Sequence, residues 1–175
     1  KAHKREFKTT QEDLAAVSAK NHTNAKFNPY AYSNKTYSID DVLQSKFVTD
    51  DLHLLDCSKP CSGASAVLLA SENVAKKFEQ PIWIKGIGQK TTSASLTKNE
   101  DLTTMTSTKI AAKQAFDMAK IQVNDVDVTE LHDAFTICEI MALEDIGFVK
   151  KGNGASYVRE LYDTQDNKIN PRGGL

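Results

Sequence analysis

The segment Ala134 to Ile146 constrains the fold more than any other part of the chain. Ala134, Phe135, Ile137, Cys138, Ile140, Met141, Ala142, Leu143 and Ile146 cover nearly the whole circumference of a helix, with Thr136, Glu139, Glu144 and Asp145 as the polar exceptions. A helix apolar almost all round is buried on more than one face, so other elements must pack against it from several sides. The chain has 175 residues, of which 40% are hydrophobic, enough to enclose such a helix in one core. Its formal net charge of -1 speaks against nucleic-acid and anionic-membrane partners, which usually select a basic excess. No apolar stretch reaches bilayer-spanning length, and Lys1 to Thr10 lacks the apolar region of a secretory signal, so the composition predicts a soluble chain.

Both ends predict a segment of a longer protein. The first residue is Lys, and Arg172-Gly173-Gly174-Leu175 reads as a glycine turn entering another element. Residues 1–50 are polar and helical. Thr9-x-x-Glu12 has the form of a capping box ahead of Leu14, Ala15, Val17 and Ser18, Asn28-Pro29 ends that region, and Ser38-x-x-Asp41 starts a short helix with Ile39, Val42 and Leu43 inside. This region reads as an excursion packed on a larger body. From Leu52 the pattern alternates. Leu54-Leu55 and Ala64 to Ala70 read as strands buried on both faces, and after a short helix from Ser71 to Phe78 Pro81 to Ile84 starts the next strand. Gln89 to Thr106 is a Ser/Thr-rich loop, Ser107 to Lys120 a helix, and Val126 to Leu131 a further strand. This order predicts an α/β fold with a mixed or parallel sheet and helices on its faces.

The cysteines, Cys57, Cys61 and Cys138, are odd in number and read as reduced thiols. His53, Cys57 and Cys61 are evenly spaced as on a helix face, but Pro60 and Ser62-Gly63 oppose a helix. In extended chain four residues span about 13 Å, against about 4 Å between two ligands of one zinc ion. Buried structural thiols fit better than a metal site.

Glu130-Leu131-His132-Asp133-Ala134-Phe135 stands directly before the buried helix. A strand ending in His-Asp puts His132 at the carboxyl edge of the sheet, where open α/β folds collect ligands. Asp133 is the expected N-cap. The positive end of the helix would keep His132 neutral and able to donate one hydrogen bond to an oxygen that gains negative charge. A packing histidine that satisfies a backbone carbonyl is the alternative, and position alone leaves both open.

Taken with these residues, the chain resembles the thiolases, in the branch related to sterol-carrier-protein thiolase and archaeal acetyl-CoA acetyltransferase. The resemblance rests on Lys20-Asn21-His22, Asn28-Pro29-Tyr30, Cys57 to Ala66 with Gly63-Ala64-Ser65-Ala66, the block Asp127 to Phe135, Glu139, and Asn170-Pro171-Arg172-Gly173-Gly174-Leu175. Two departures stand out: Ser62 precedes Gly63 where the family commonly has aspartate, and Arg172 replaces a small residue.

The resemblance implies a thiolase fold, in which helices are sandwiched between two similar halves. Residues 1–50 would belong to the loop domain over coenzyme A, 51–79 would end the amino-terminal half, and 80–175 would form most of the carboxyl-terminal half. It implies an acyl-CoA thiolase that condenses acetyl-CoA or cleaves 3-ketoacyl-CoA through a cysteine acyl-enzyme. His132 matches the catalytic position that polarises the thioester oxygen of the acyl-CoA that becomes the carbanion. The nucleophilic cysteine would lie ahead of Lys1, and the Gly-His-Pro histidine and second cysteine after Leu175. No cofactor is implied beyond the coenzyme A thioester substrate, and no metal. The implied partners are a second copy in a homodimer or homotetramer and, in an archaeal-type complex, an OB-fold zinc-ribbon protein and HMG-CoA synthase. The implied compartment is cytoplasmic, or peroxisomal for a eukaryotic relative. Two other readings remain: a thiolase-fold aldolase acting on a CoA-linked side chain with an OB-fold partner, and a noncatalytic CoA-binding or scaffold remnant.

Overall fold

The computed structural model describes residues 1–49, 51–95, 98–99 and 101–174. Among these residues seven α-helices follow in order: α1 (Ala2–Phe7), α2 (Gln11–Ala25), α3 (Ile39–Gln44), α4 (Glu72–Ala75), α5 (Thr106–Ala119), α6 (Thr136–Ile146) and α7 (Gly154–Thr164). Strands β1 (Phe47–Thr49) and β2 (Leu52–His53) pair antiparallel, and single turns of 3₁₀ helix occupy Leu54–Asp56 and Val123–Asp125.

The core is built from α2, α6 and α7. Val17, Ile140, Leu143 and Val158 are completely withheld from water, together with Ile169 from the tail. Helix α2 is therefore no surface excursion: Ala15, Ala16 and Ala19 are also fully buried, and their small side chains let neighbouring helices approach closely. Its capping box lies one residue later than the sequence suggested. The Asp13 amide donates to Thr10 Oγ1 at 3.2 Å, and the Thr10 amide to Asp13 Oδ2 at 2.8 Å. Thr9 is spent elsewhere, bonded to buried His3 at 2.7 Å. The box at Ser38 and Asp41 forms as expected.

Helix α6 has the expected multiple burial, packed by α2, α5 and α7. Its polar exceptions prove to be the fastenings. Glu144 Oε1 accepts the Gly154 amide at 2.9 Å, and Asp145 Oδ2 accepts the Met105 amide at 2.7 Å. Each carboxylate thus satisfies a backbone donor at the start of another helix, α7 and α5 respectively, where the helix dipole also favours negative charge. Lys151 bridges the two acids, and His3 of α1 meets Glu144 at 3.0 Å. Burial pushes the Glu144 carboxyl up, but the His3 and Gly154 hydrogen bonds outweigh it and hold the group below its ordinary value.

The strand assignments need correction. Leu54 and Leu55 lie in a 3₁₀ turn, and Ala64 to Ala70 and Pro81 to Ile84 form no ladder among the described residues. Leu68 is 86% exposed, the opposite of a strand buried on both faces, and Ile82 is 93% exposed. A strand gains its hydrogen bonds and its burial from neighbouring strands, and no described strand pairs with these stretches. Val126 to Leu131 retains only a parallel bridge between Thr129 and Ile169. No helix among the described residues is long and apolar enough to cross a membrane.

Candidate functional site

Three segments converge beside the start of α6. They are the end of α2 with Lys20, Asn21, His22 and Asn24, the turn from Leu131 to Ala134, and the tail from Ile169 to Gly174. Their common point is Glu139, a carboxylate with no exposure to water on the otherwise apolar α6. Its Oε2 accepts Asn21 Nδ2 at 2.7 Å and Asn170 Nδ2 at 2.8 Å. Its Oε1 lies 3.1 Å from the buried Lys20 ammonium. That contact is ionic rather than a well-aligned hydrogen bond, since Oε1 has no hydrogen-bond partner and Lys20 donates to Asn21 Oδ1 at 2.5 Å and to the Ile169 carbonyl at 3.1 Å. Burial pushes the Glu139 carboxyl above its ordinary value, with Lys20 and the Asn21 amide pulling the other way.

The tail closes the arrangement. Asn170 adopts a left-handed φ of 51°, a conformation asparagine tolerates better than most residues. Its amide donates to the Thr129 carbonyl at 2.8 Å, and its Oδ1 accepts the Leu131 amide at 2.6 Å. Asn24 adds a hydrogen bond to the Asn170 carbonyl at 3.0 Å. Gly174, at φ 67°, lies so close to Asp133 that a Cβ there would stand 2.5 Å from its carboxylate.

His132 sits between these anchors with its side chain exposed. Its imidazole makes no hydrogen bond to any described residue, which does not fit a packing histidine satisfying a backbone carbonyl. Asp133 is not the N-cap expected of it. The helix begins at Thr136 with Phe135 as its N-cap, and the Asp133 carboxylate instead accepts Asn21 Nδ2 at 2.7 Å. The side-chain amide of a residue distant in sequence outcompeted the local cap. The later start also sets His132 further from the helix end than the dipole argument assumed.

A cavity of about 300 Å³ opens beside this turn, lined among others by Asn21, His22, Tyr32, Cys57, Asp133 and Gly174. His132 does not line it, but its neighbour Asp133 does. Lys59 and Arg172 supply positive charge at the same cavity. Lys59 lies over the Tyr32 ring at 5.5 Å, and Arg172 donates to Asn28 Oδ1 at 3.2 Å. His22 binds the Ser18 carbonyl through Nδ1 at 2.9 Å. Burial pushes the His22 imidazole below its ordinary value, against that backbone hydrogen bond and helped by Lys59, so it presents a neutral ring to the cavity.

None of the cysteines is the buried thiol expected: Cys57 and Cys138 are half-buried and Cys61 is exposed. Cys57 and Cys138 are poorly suited to nucleophilic work. Burial pushes both the Cys57 and the Cys138 thiols up, and the neighbouring charges of Asp56 and Asp133 push the same way. His53, Cys57 and Cys61 do not come together: among the described residues no group of three or more His, Cys, Asp or Glu is arranged to hold a metal. In the sequence Lys20, Asn21, Glu139 and Asn170 stand out only as points of resemblance. The local signal for the site is a glutamate in an apolar helix, which needs a buried partner elsewhere in the chain.

The fold is that of an α/β chain of the thiolase type. Residues 88–175 match the family described as Thiolase C-terminal domain-like, and the chain belongs to the thiolases. It is 40% identical over 176 residues to an acetyl-CoA acetyltransferase of Methanothermobacter thermautotrophicus, covering 99% of this chain and 46% of the relative. It is 34% identical over 183 residues to sterol carrier protein 2 of Gallus gallus, covering 100% of this chain and 34% of that protein. Among solved structures it superposes on the Ltp2-ChsH2(DUF35) aldolase with a TM-score of 0.90 at 22% identity, over 98% of this chain and 47% of the other. The chain thus spans less than half the length of these curated relatives.

Proposed function

We propose that the full-length protein containing this chain is an acyl-CoA acyltransferase that condenses two acetyl-CoA molecules or cleaves 3-ketoacyl-CoA. The observation that carries this reading is the exposed imidazole of His132, which makes no hydrogen bond to any described residue, presented on a turn anchored on both sides and adjoining a cavity with Lys59 and Arg172. Cationic groups there suit the phosphates of coenzyme A, and the similarity to an acetyl-CoA acetyltransferase supports the same substrate class.

In this mechanism a cysteine sulfur outside residues 1–175 attacks the first thioester, its S–C bond forms, and the coenzyme A thiol leaves. The second acetyl-CoA loses an α-proton to a base and its thioester oxygen gains negative charge. His132 donates a hydrogen bond to that oxygen. The carbanion attacks the acyl-enzyme, the new C–C bond forms, and the cysteine is released. Residues 1–50 serve as loop domain, 51–79 as the end of the amino-terminal half and 80–175 as most of the carboxyl-terminal half. A homodimer or homotetramer in the cytoplasm completes the reading.

The second reading, an aldolase with an OB-fold partner, is favoured by the fold match to a protein named as a DUF35 aldolase. One experiment separates the two. The full-length protein is incubated with acetyl-CoA, quenched and digested, and the acetyl group is located by mass spectrometry. The expected result is a stoichiometric acetyl-cysteine outside residues 1–175 with release of one coenzyme A. Absence of an acyl-enzyme, together with retro-aldol activity dependent on an added OB-fold protein, would replace the thiolase reading by the aldolase one.

A further inference from the structure

The geometry points to Asn21, Glu139 and Asn170 as positioning residues that set the placement of His132 without touching substrate. This rests on the role proposed for His132 above. Each residue flanking His132 is held by one buried asparagine: the Leu131 amide by Asn170 Oδ1 at 2.6 Å, and the Asp133 carboxylate by Asn21 Nδ2 at 2.7 Å. A primary amide can flip, exchanging its donor for its acceptor, and a flipped amide could make neither of these bonds. Glu139 prevents the flip in both. Its Oε2 accepts a hydrogen bond from Asn21 Nδ2 and another from Asn170 Nδ2, so each amide must turn its nitrogen to α6. For Asn170 that turns Oδ1 to the Leu131 amide, and for Asn21 it leaves the second Nδ2 proton for Asp133 and Oδ1 for Lys20.

The arrangement links three distant stretches of chain through one buried charge that Lys20 offsets. Buried hydrogen bonds of this kind are stiff, whereas a solvent-exposed turn otherwise samples several conformations. Stiffness matters at His132 because a donor stabilises an oxyanion only if it is already in place, and displacement by about 1 Å can cost about a hundredfold in rate. Glu139 acts on His132 across two amides, at no point by contact.

The test is a double-mutant cycle in the full-length protein, with acylation by the first acetyl-CoA and the condensation rate measured separately. Asn170→Gly is the informative variant, because glycine keeps the left-handed backbone conformation and removes only the side chain. We expect condensation to fall about tenfold or more, with the acylation burst essentially unchanged. In a His132→Ala background the same substitution should cost little further, because there is no donor left to misplace. A merely structural role would lower the acylation burst along with condensation and would be additive with His132→Ala, and that result overturns the inference. If His132→Ala alone leaves condensation unchanged, the reading of His132 fails first and the inference falls with it.

Hydrogen exchange supplies a readout independent of activity. In Asn170→Gly the amides of residues 129–134 should exchange about tenfold faster or more, and those of α7 should not change. Unchanged exchange in the turn would show that Asn170 does not hold it, whatever reaction the protein performs.

Discussion

The Lys20 ammonium lies 3.1 Å from the Glu139 carboxylate, and the two side chains are 3% and 0% exposed. They come from helices far apart in sequence, and neither could be buried alone. Removing one member leaves the other as an uncompensated buried charge, so Lys20→Met in the full-length protein should destabilise it by about 3 kcal/mol. Denaturant midpoints measure this. Adding Glu139→Gln to Lys20→Met should recover part of the loss, and equal stability of both single variants with the wild type would show the pair to be unimportant.

His132→Ala should lower the condensation rate about a hundredfold, the effect of losing about 3 kcal/mol of oxyanion stabilisation. Acylation of the enzyme by the first acetyl-CoA should change much less. His132→Asn, which can still donate, should fall between the two. Burst and steady-state kinetics separate the steps, and an alanine variant that condenses normally would reduce His132 to a bystander.

Gly173 has φ 106°, and a Cβ there would lie 2.5 Å from Ala25 Cβ and 2.8 Å from Ala25 Cα. Gly173→Ala therefore meets backbone strain and a collision with the end of α2, and should cost about 2 kcal/mol. Gly63→Ala is the control, since a Cβ there meets nothing within 4 Å. Its stability should stay within about 0.5 kcal/mol of the wild type by thermal or chemical melting.

His22 gives a pH dependence whose sign follows from burial. Its folded pKa is lowered from 6.5, so below that value the unfolded chain takes up a proton that the folded chain refuses. The stabilisation is present above the unfolded pKa and is lost as pH falls through the folded one. Between about pH 8 and pH 5 the wild type should lose more stability than His22→Gln, which cannot titrate. Parallel urea melts across that range check it, and identical slopes would contradict it.

Residues 1–175 produced alone should self-associate and show neither condensation nor thiolysis. Leu68, Val67, Ile82 and Ile84 stand 72–93% exposed, an apolar surface uncommon on a monomer. Light scattering should show association that Leu68→Lys with Ile82→Lys reduces. A monodisperse segment turning over acetoacetyl-CoA would defeat the prediction.

Local chemistry made several elements readable. The Ser38–Asp41 box, α5 and the multiple burial of α6 follow from capping residues and from periodicity, which act within one turn of chain. His132 was singled out by its place before an apolar helix. Helix α7 was not anticipated, although Val158 and Leu161 are in the core, because its few apolar positions are separated by charged residues.

Other features were decided in three dimensions. Asp133 is a good local cap, yet Asn21, 112 residues away, takes its carboxylate. The acids of α6 look in one dimension like interruptions of an apolar face. In the folded chain Glu139 joins α2 to the tail, while Glu144 and Asp145 receive the first amides of α7 and α5. The residue types determined by themselves where helices can begin and which helix must be buried, because propensity and apolar spacing are properties of neighbours in sequence. Which buried carboxylate meets which donor was left to the tertiary structure. A charge withdrawn from water is tolerated only beside a partner, and that partner is supplied by whichever distant segment the packing of the core brings within hydrogen-bond reach.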